Sequence, residues 1–545
     1  MSHYLFQKRR GSKIYWYLGK SERTPKGVRR TWQKYLGTAE SIMKLTNSLP
    51  ELQIETKAFG SIACMLSVAK ELGIEDIIER VVPDKNYKLS VYEHMLLQSI
   101  GRFNEPLSKK KSVKWYKDSV LPLIWKKDFS SVQTIFNQFD KVVKATENKI
   151  PQIEEEICKA LLEKGIKPSS LIWDPTNFFT YIEEGEELAK KGASKEKRYD
   201  KNLINLGLVV SQENIPLMHT VYEGNKREIE IMSGVVDTIF SRLKKLGAET
   251  EEMVFVFDRG NNSEDNVANF KQKFHFIGAL KKSQLTHLYD INLDKFEKLY
   301  ESNGENTIMG YATTEIVYGE KHKVVITYNE ATAIKQKGKT EEAVKKIKEK
   351  FNALEKNINN RKKGRKTKTK SLAAKICNFL YKQYRSLFSW DFNETEQKFS
   401  WELNEEAYMH REKTCGKTVL FTDLNDWPSK DIAKTYNSKA ILESDFKDLK
   451  DKLLIPVKPI YSRLDDHLKA HIFVCVLSLT LYRYMLWKLK DLELSEKEIV
   501  KEIRSMRLAF VKQKDSNSVR KVLECMSKNQ MEIYSRLRLG EFLPN

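Results

Sequence analysis

The sequence predicts an α/β fold, a mixed sheet with a β-rich insertion between two flanking regions, and three observations lead to it. Between residues 166 and 282, short apolar segments of strand length alternate with amphipathic helical pattern. Before and after that region, stretches of apolar residues recur at spacings of three and four, the period of a helix with one buried face. The 545 residues are 41% apolar and 10% aromatic, enough to bury a large core in several domains.

The elements follow in chain order. The first 35 residues hold ten lysines and arginines against one glutamate, interleaved with Tyr, Trp and Phe. Alternation in "KIYWYLG" and "RRTWQKYLG" around "TPKG" predicts a basic β-hairpin, either laid along phosphates or solvated over an aromatic face. From Ser61 to Asn148 the period turns helical, as in "SIACMLSVAKELGI" and "SVYEHMLLQSIGRF". No helix-turn-helix signature stands out, so residues 1–165 are expected to bind DNA through hairpin and helices without an assigned major-groove reader. Next come the segments "SSLIWD", "NLINLGLVV", "IPLMHTVYEG", "MVFVFD" and "HFIGALK". The helix "REIEIMSGVVDTIFSRLKKLG" lies between the third and fourth. The order strand, strand, strand, helix, strand, helix, strand predicts a mixed sheet opening with an antiparallel meander.

Residues 283–431 read as an insertion, with strands in "TTEIVYG", "KVVITYN", "FSWELN" and "KTVLFTD" around a charged helix through "TEEAVKKIKEKFNALEKNINN". Within it, Arg361 to Lys370 carry seven basic residues in ten, suiting either a solvated loop or phosphate contact. The core resumes at 432–460, and 461–545 are expected to be helical. That stretch holds a buried helix, "HIFVCVLSLTLYRYMLWKL", and a capping box at Ser495 to Glu498 that opens another helix.

Lysine and arginine outnumber aspartate and glutamate by 95 to 74, a net charge of +21, which points to a polyanionic partner, nucleic acid first. A membrane is not expected: the charge-free run Ile472 to Tyr482 has eleven residues, where a span needs about twenty. The six cysteines have no paired spacing and read as reduced thiols of a cytoplasmic protein.

Three acids carry the chemistry. Asp174 closes "SSLIWD", where Pro175 and Asn177 are expected to stop the strand. Asp258 closes "MVFVFD". If the first and fourth strands are neighbours, these carboxylates lie side by side at the sheet edge where α/β folds bind ligands. Their repulsion raises each pKa unless a cation intervenes, and a divalent metal resolves it. The third acid is Glu443, in "YNSKAILESDFKDLK". On one α-helix, Lys439, Glu443 and Lys450 lie within about 60° of Tyr436; an exposed helix with intrahelical Glu–Lys pairs would read the same.

These residues resemble the DDE transposases of bacterial insertion sequences, in the cut-and-paste branch whose last catalytic helix carries Y-x-x-R-x-x-x-E-x-x-x-x-x-x-K. Tyr436, Glu443 and Lys450 match at those spacings, and Lys439 stands where the signature has arginine. A lysine is a point charge without arginine's bidentate fork, so its grip on phosphate is less directional. The resemblance, over about residues 165–490, implies a ribonuclease-H-like core in which Asp174, Asp258 and Glu443 hold two Mg²⁺ ions, replaceable by Mn²⁺. It further implies that Tyr436, Lys439 and Lys450 bind phosphates, and that the partners are terminal inverted repeats and target double-stranded DNA, joined in synapsis by a homodimer. Two alternatives stay open: a metal nuclease on the same scaffold, and a DNA-binding derivative without catalysis.

Other motifs point elsewhere. "CGKT" at Cys415 to Thr418 would need glycine at residue 411 to be a nucleotide loop, and 411 is arginine. His467 and His471 stand one helical turn apart without the glutamate of a zinc-protease helix and are expected to pack or hydrogen-bond. Trp401 and Trp427 are expected to serve core packing. Arg259, next to Asp258, suits phosphate contact, orientation of the acid or the turn equally.

Overall fold

The computed structural model describes residues 3–24, 27–47, 52–84, 88–128, 131–144, 147–302, 306–361, 366–439, 455–458, 460, 462–513 and 518–544. The chain divides into two compact units: residues 1–63, 118–124 and 495–545, and residues 64–117 and 125–494.

In the smaller unit the basic N-terminal segment forms three antiparallel strands, His3–Arg10, Lys13–Thr24 and Gly27–Gly37, one more than a hairpin. Aromatic side chains gather on this sheet, and the Arg30 guanidinium lies 3.5 Å from the centre of the Phe6 ring. A second sheet pairs Leu52–Ala58 with Arg507–Gln513, which pairs in turn with Val519–Leu523. The two chain ends thus share a unit, and the last 85 residues are not wholly helical as expected. The capping box at Ser495 and Glu498 is formed.

The larger unit is α/β, built on one nine-stranded mixed sheet. Its strands are β1 (Ser170–Thr180), β2 (Asn202–Val210), β3 (Pro216–Glu223), β4 (Val254–Phe257), β5 (His275–Ala279), β6 (Glu297–Ser302), β7 (Asn306–Val317), β8 (Glu320–Asn329) and β9 (Lys417–Thr422). Across the sheet they lie in the order β6-β7-β8-β9-β5-β4-β1-β2-β3. β1, β2 and β3 form the expected antiparallel meander. β4 joins β1 in parallel and β5 joins β4 in parallel. The connections are α3 (Glu228–Lys245) and α4 (Glu264–Lys271), so the strand and helix order read from the pattern is the one observed. Four further strands extend the sheet, with β9 antiparallel to both β5 and β8. Strands of the insertion therefore continue the core sheet, and the sheet does not end at 282. The rest of the insertion has its own core: α5 (Glu330–Asn359) packs Phe351 against Phe379, Phe388, Phe399 and Trp401.

Helices cover the β3 side. α2 (Ile150–Glu163) places Glu154 against β3, where its Oε1 accepts from the His219 backbone NH at 3.1 Å and meets His219 Nδ1 at 2.5 Å. Arg242 of α3 completes this buried network, 3.6 Å from Glu154 and donating to the Leu217 carbonyl at 2.8 Å. α1 (Val91–Asn104) packs on α7 (Asp465–Lys488) through reciprocal hydroxyl bonds, Ser99 to the Val474 carbonyl and Ser478 to the Ser99 carbonyl. α7 is long and apolar enough to cross a membrane, but its apolar window is 94% buried in the fold.

Candidate active site

β1 and β4 place the first two acids. The parallel register sets Ile172 opposite Val256, so Asp174 and Asp258, each two residues on, stand level where β4 ends. β1 does not stop at Asp174 as expected: it runs through Pro175 to Thr180, paired with β2 throughout. Proline is tolerated because β4 pairs with β1 only as far as Ile172, leaving that side of β1 without a strand neighbour. Trp173 anchors the position. Its fully buried ring lies over Gly207, where an added Cβ would come 1.8 Å from Trp173 Cη2.

Asp258 serves both a turn and a cluster. It caps the short 3-10 turn Arg259–Asn261, with Oδ1 accepting from the Arg259 backbone NH at 2.7 Å. The asparagines that follow hold the loop: Asn262 Nδ2 donates to the Ala279 carbonyl, and Asn266 Nδ2 to that of Asn261. The Arg259 guanidinium turns away and donates to Thr418 Oγ1 at 3.3 Å. Oδ1 of Asp258 also accepts from the Tyr436 hydroxyl at 3.2 Å and lies 3.5 Å from Lys439 Nζ.

Tyr436 and Lys439 flank a helix end. α6 (Ser429–Asn437) ends with Ser438 as its C-cap and Lys439 is helical again, so the helix expected from Tyr436 is interrupted at Ser438, and its continuation past Lys439 lies outside the described residues. Lys439 is 7% exposed, its ammonium 5.2 Å from the Tyr436 ring centre. The remaining two residues of the sequence signature, Glu443 and Lys450, lie outside the described residues.

The electrostatics separate the two aspartates. Burial, with Asp258 and Glu228 adding to it, raises Asp174 to about 6 against the pull of Lys439 and Lys195. Burial also pushes Asp258 up, but Lys439, the Arg259 NH, the Tyr436 hydroxyl and the Arg259 charge together hold it below the usual value. Burial raises the Tyr436 phenol, and Asp258 beside it acts in the same direction. At Asp258 the cations and hydrogen bonds outweigh burial, and at Asp174 burial outweighs the cations.

Two residues that the sequence reading missed join the site. Glu228 opens α3 and pairs with Lys195 at 2.8 Å, while Lys195 Nζ donates to the Pro175 carbonyl at 2.5 Å. No spacing announces them: Glu228 reads as the first turn of an amphipathic helix, and Lys195 lies in the charged β1–β2 connection.

The donor chemistry suits a hard divalent cation. Two carboxylates offer oxygen ligands, and a cation between them relieves the cost that raises Asp174. Among the described residues no group of three or more His, Cys, Asp or Glu is arranged to hold a metal, so the pair makes a partial donor set.

The motifs set aside above have structural roles. Buried Lys417 of "CGKT" donates to the Tyr289 and Ile291 carbonyls. His467 meets Asp140 and stacks on Phe136, whereas His471 meets the Val457 carbonyl and Lys109, so the two histidines do not converge. Trp401 packs in the insertion core. All six cysteines are free thiols.

No family model matches the chain, and no curated protein does. Six solved chains match, among them one described as "Mos1 transposase paired-end complex with left transposon end". The alignment is 11% identical, covers 35% of this chain and 59% of that one, and has a TM-score of 0.14, an overlap too slight to bear on function.

Proposed function

We propose that the chain is a DDE transposase with a ribonuclease-H-like core, cutting and joining DNA with Asp174, Asp258 and Glu443 as metal ligands. One observation carries the reading. Two aspartates stand level on adjacent parallel strands where β4 ends, and burial keeps the Asp174 carboxyl raised despite the pull of Lys439 and Lys195. The order of strands, three antiparallel and then two parallel, supports the core assignment.

Divalent Mg²⁺, or Mn²⁺ in its place, would supply Lewis-acid stabilisation of charge developing around the attacked phosphorus. The chain's own residues do the rest. The Arg259 NH and Tyr436 hydroxyl aim Asp258, keeping its Oδ1 ionised and fixed. Lys439, buried against that carboxylate, supplies positive charge for a phosphate entering beside it. Tyr436 and Lys450 complete the phosphate contacts in this reading. The +21 net charge gives salt-sensitive, sequence-independent affinity for duplex DNA. Holding two transposon ends and a target makes a homodimer the working assembly.

A strand-transfer assay with terminal inverted repeats in Mg²⁺ tests this. The parent is expected to yield joined ends and Asp258→Asn none. Cutting without joining would favour the metal nuclease. Binding with no chemistry, or product unaffected by Asp258→Asn, would sink the catalytic reading.

A further inference from the structure

Beside the two aspartates lies an open groove of about 580 Å³ between the Ser194–Tyr199 loop and the start of α3. It lies next to the acids: Lys195 on its wall donates to the carbonyl of Pro175, which follows Asp174, and Gly260 is two residues past Asp258. Amides and glycines line it between the charged residues, Asn177, Asn205, Gly224 and Gly260 among them, and a Cβ on Gly260 would meet only Glu228 Oε2, at 3.3 Å.

Cations outnumber acids in the lining. Lys195, Lys226, Arg227 and Lys281 face a single acid, Glu228, which Lys195 neutralises. Lys226 and Arg227 pair outward with Glu223 at 2.8 Å and Glu230 at 2.6 Å. Such exposed pairs are worth little and exchange readily for a phosphate. Exposed Lys281, just past β5, shows no acidic partner among the described residues. Tyr199 stands 69% exposed on the rim. An open groove edged by cations, with an exposed aromatic on its rim and two carboxylates close by, matches a sugar-phosphate chain rather than a compact anion.

We propose that this groove carries the phosphate backbone of the DNA strand flanking the bond cut at Asp174 and Asp258, with Lys226, Arg227 and Lys281 as its phosphate contacts. The proposal rests on the catalytic reading above and assigns a path to its substrate.

The test measures anisotropy of a fluorescein-labelled DNA duplex with a single-stranded overhang, across a salt series in EDTA. Replacing Lys226, Arg227 and Lys281 together by alanine is expected to make the slope of log K against log salt shallower by about 2–3 and to weaken binding about tenfold. Arg227→Lys with Lys281→Arg, which keeps the charges, is expected to keep the slope, and an unchanged melting temperature shows that the triple variant folds. Asp258→Asn should retain the parent's slope while losing cleavage. A parent that cuts DNA and a triple variant with an unaltered slope would overturn the groove and leave the catalytic reading standing. A groove-dependent slope in a parent that never cuts would do the reverse.

Discussion

Asp174→Asn is expected to stabilise the metal-free protein, and only above a definite pH. In the folded chain the carboxyl is raised from 3.8 to about 6, chiefly by burial, with Asp258 and Glu228 adding repulsion. A shift of about two units corresponds to about 3 kcal/mol at neutral pH. Because solvent reaches part of the side chain and screens the repulsion, the expected gain is about 1–3 kcal/mol. Between pH 3.8 and about 6 the folded state binds more protons at this site than the unfolded state, so the wild type loses stability as pH rises. Asparagine has no such loss. The gain should therefore be absent below about pH 4 and complete above about pH 7. Urea unfolding followed by tryptophan fluorescence, in EDTA at both limits, measures it. Saturating Mg²⁺ should stabilise the wild type, by about 2.7 kcal/mol at a hundredfold excess over Kd, but leave the variant almost untouched. Equal effects at both pH limits, or a variant less stable at neutral pH, would refute the electrostatic account.

Two further outcomes follow from the same geometry. Lys439→Met removes the cation that does most to lower both the Asp174 and the Asp258 carboxyls, so the acidic limb of the pH–rate profile for DNA cleavage, set by the higher-titrating Asp174, should move to higher pH, with a lower maximum. Gly207→Ala drives a Cβ into the Trp173 ring and should cost about 1–3 kcal/mol in urea unfolding, with weaker metal binding because Asp174 adjoins that ring.

Much of the site was legible because its signals are local. The apolar runs ending in Asp174 and Asp258, and the helices between strands, have a period that a sequence displays. The sequence left the neighbourhood of β1 and β4 as a condition, and their parallel pairing meets it. What escaped was set at long range. Pro175 reads as a stop, yet β1 continues because β4 has already ended beside it. The pairing of Leu52–Ala58 with Arg507–Gln513, and of β9 with β5, joins segments whose local patterns are complete without their partners. Ser438 ends α6 inside a stretch whose spacing suits one continuous helix. Glu228 and Lys195 meet Asp174 only because α3 starts beside the β1–β2 connection.

The central claim is that Asp174 and Asp258 together hold a divalent ion, and titration with Mn²⁺ followed by electron paramagnetic resonance tests it without requiring DNA or turnover. The parent should bind Mn²⁺ competitively with Mg²⁺, with Asp174→Asn and Asp258→Asn each weakening binding at least about tenfold. Mn²⁺ binding of parental strength in either variant would contradict the claim.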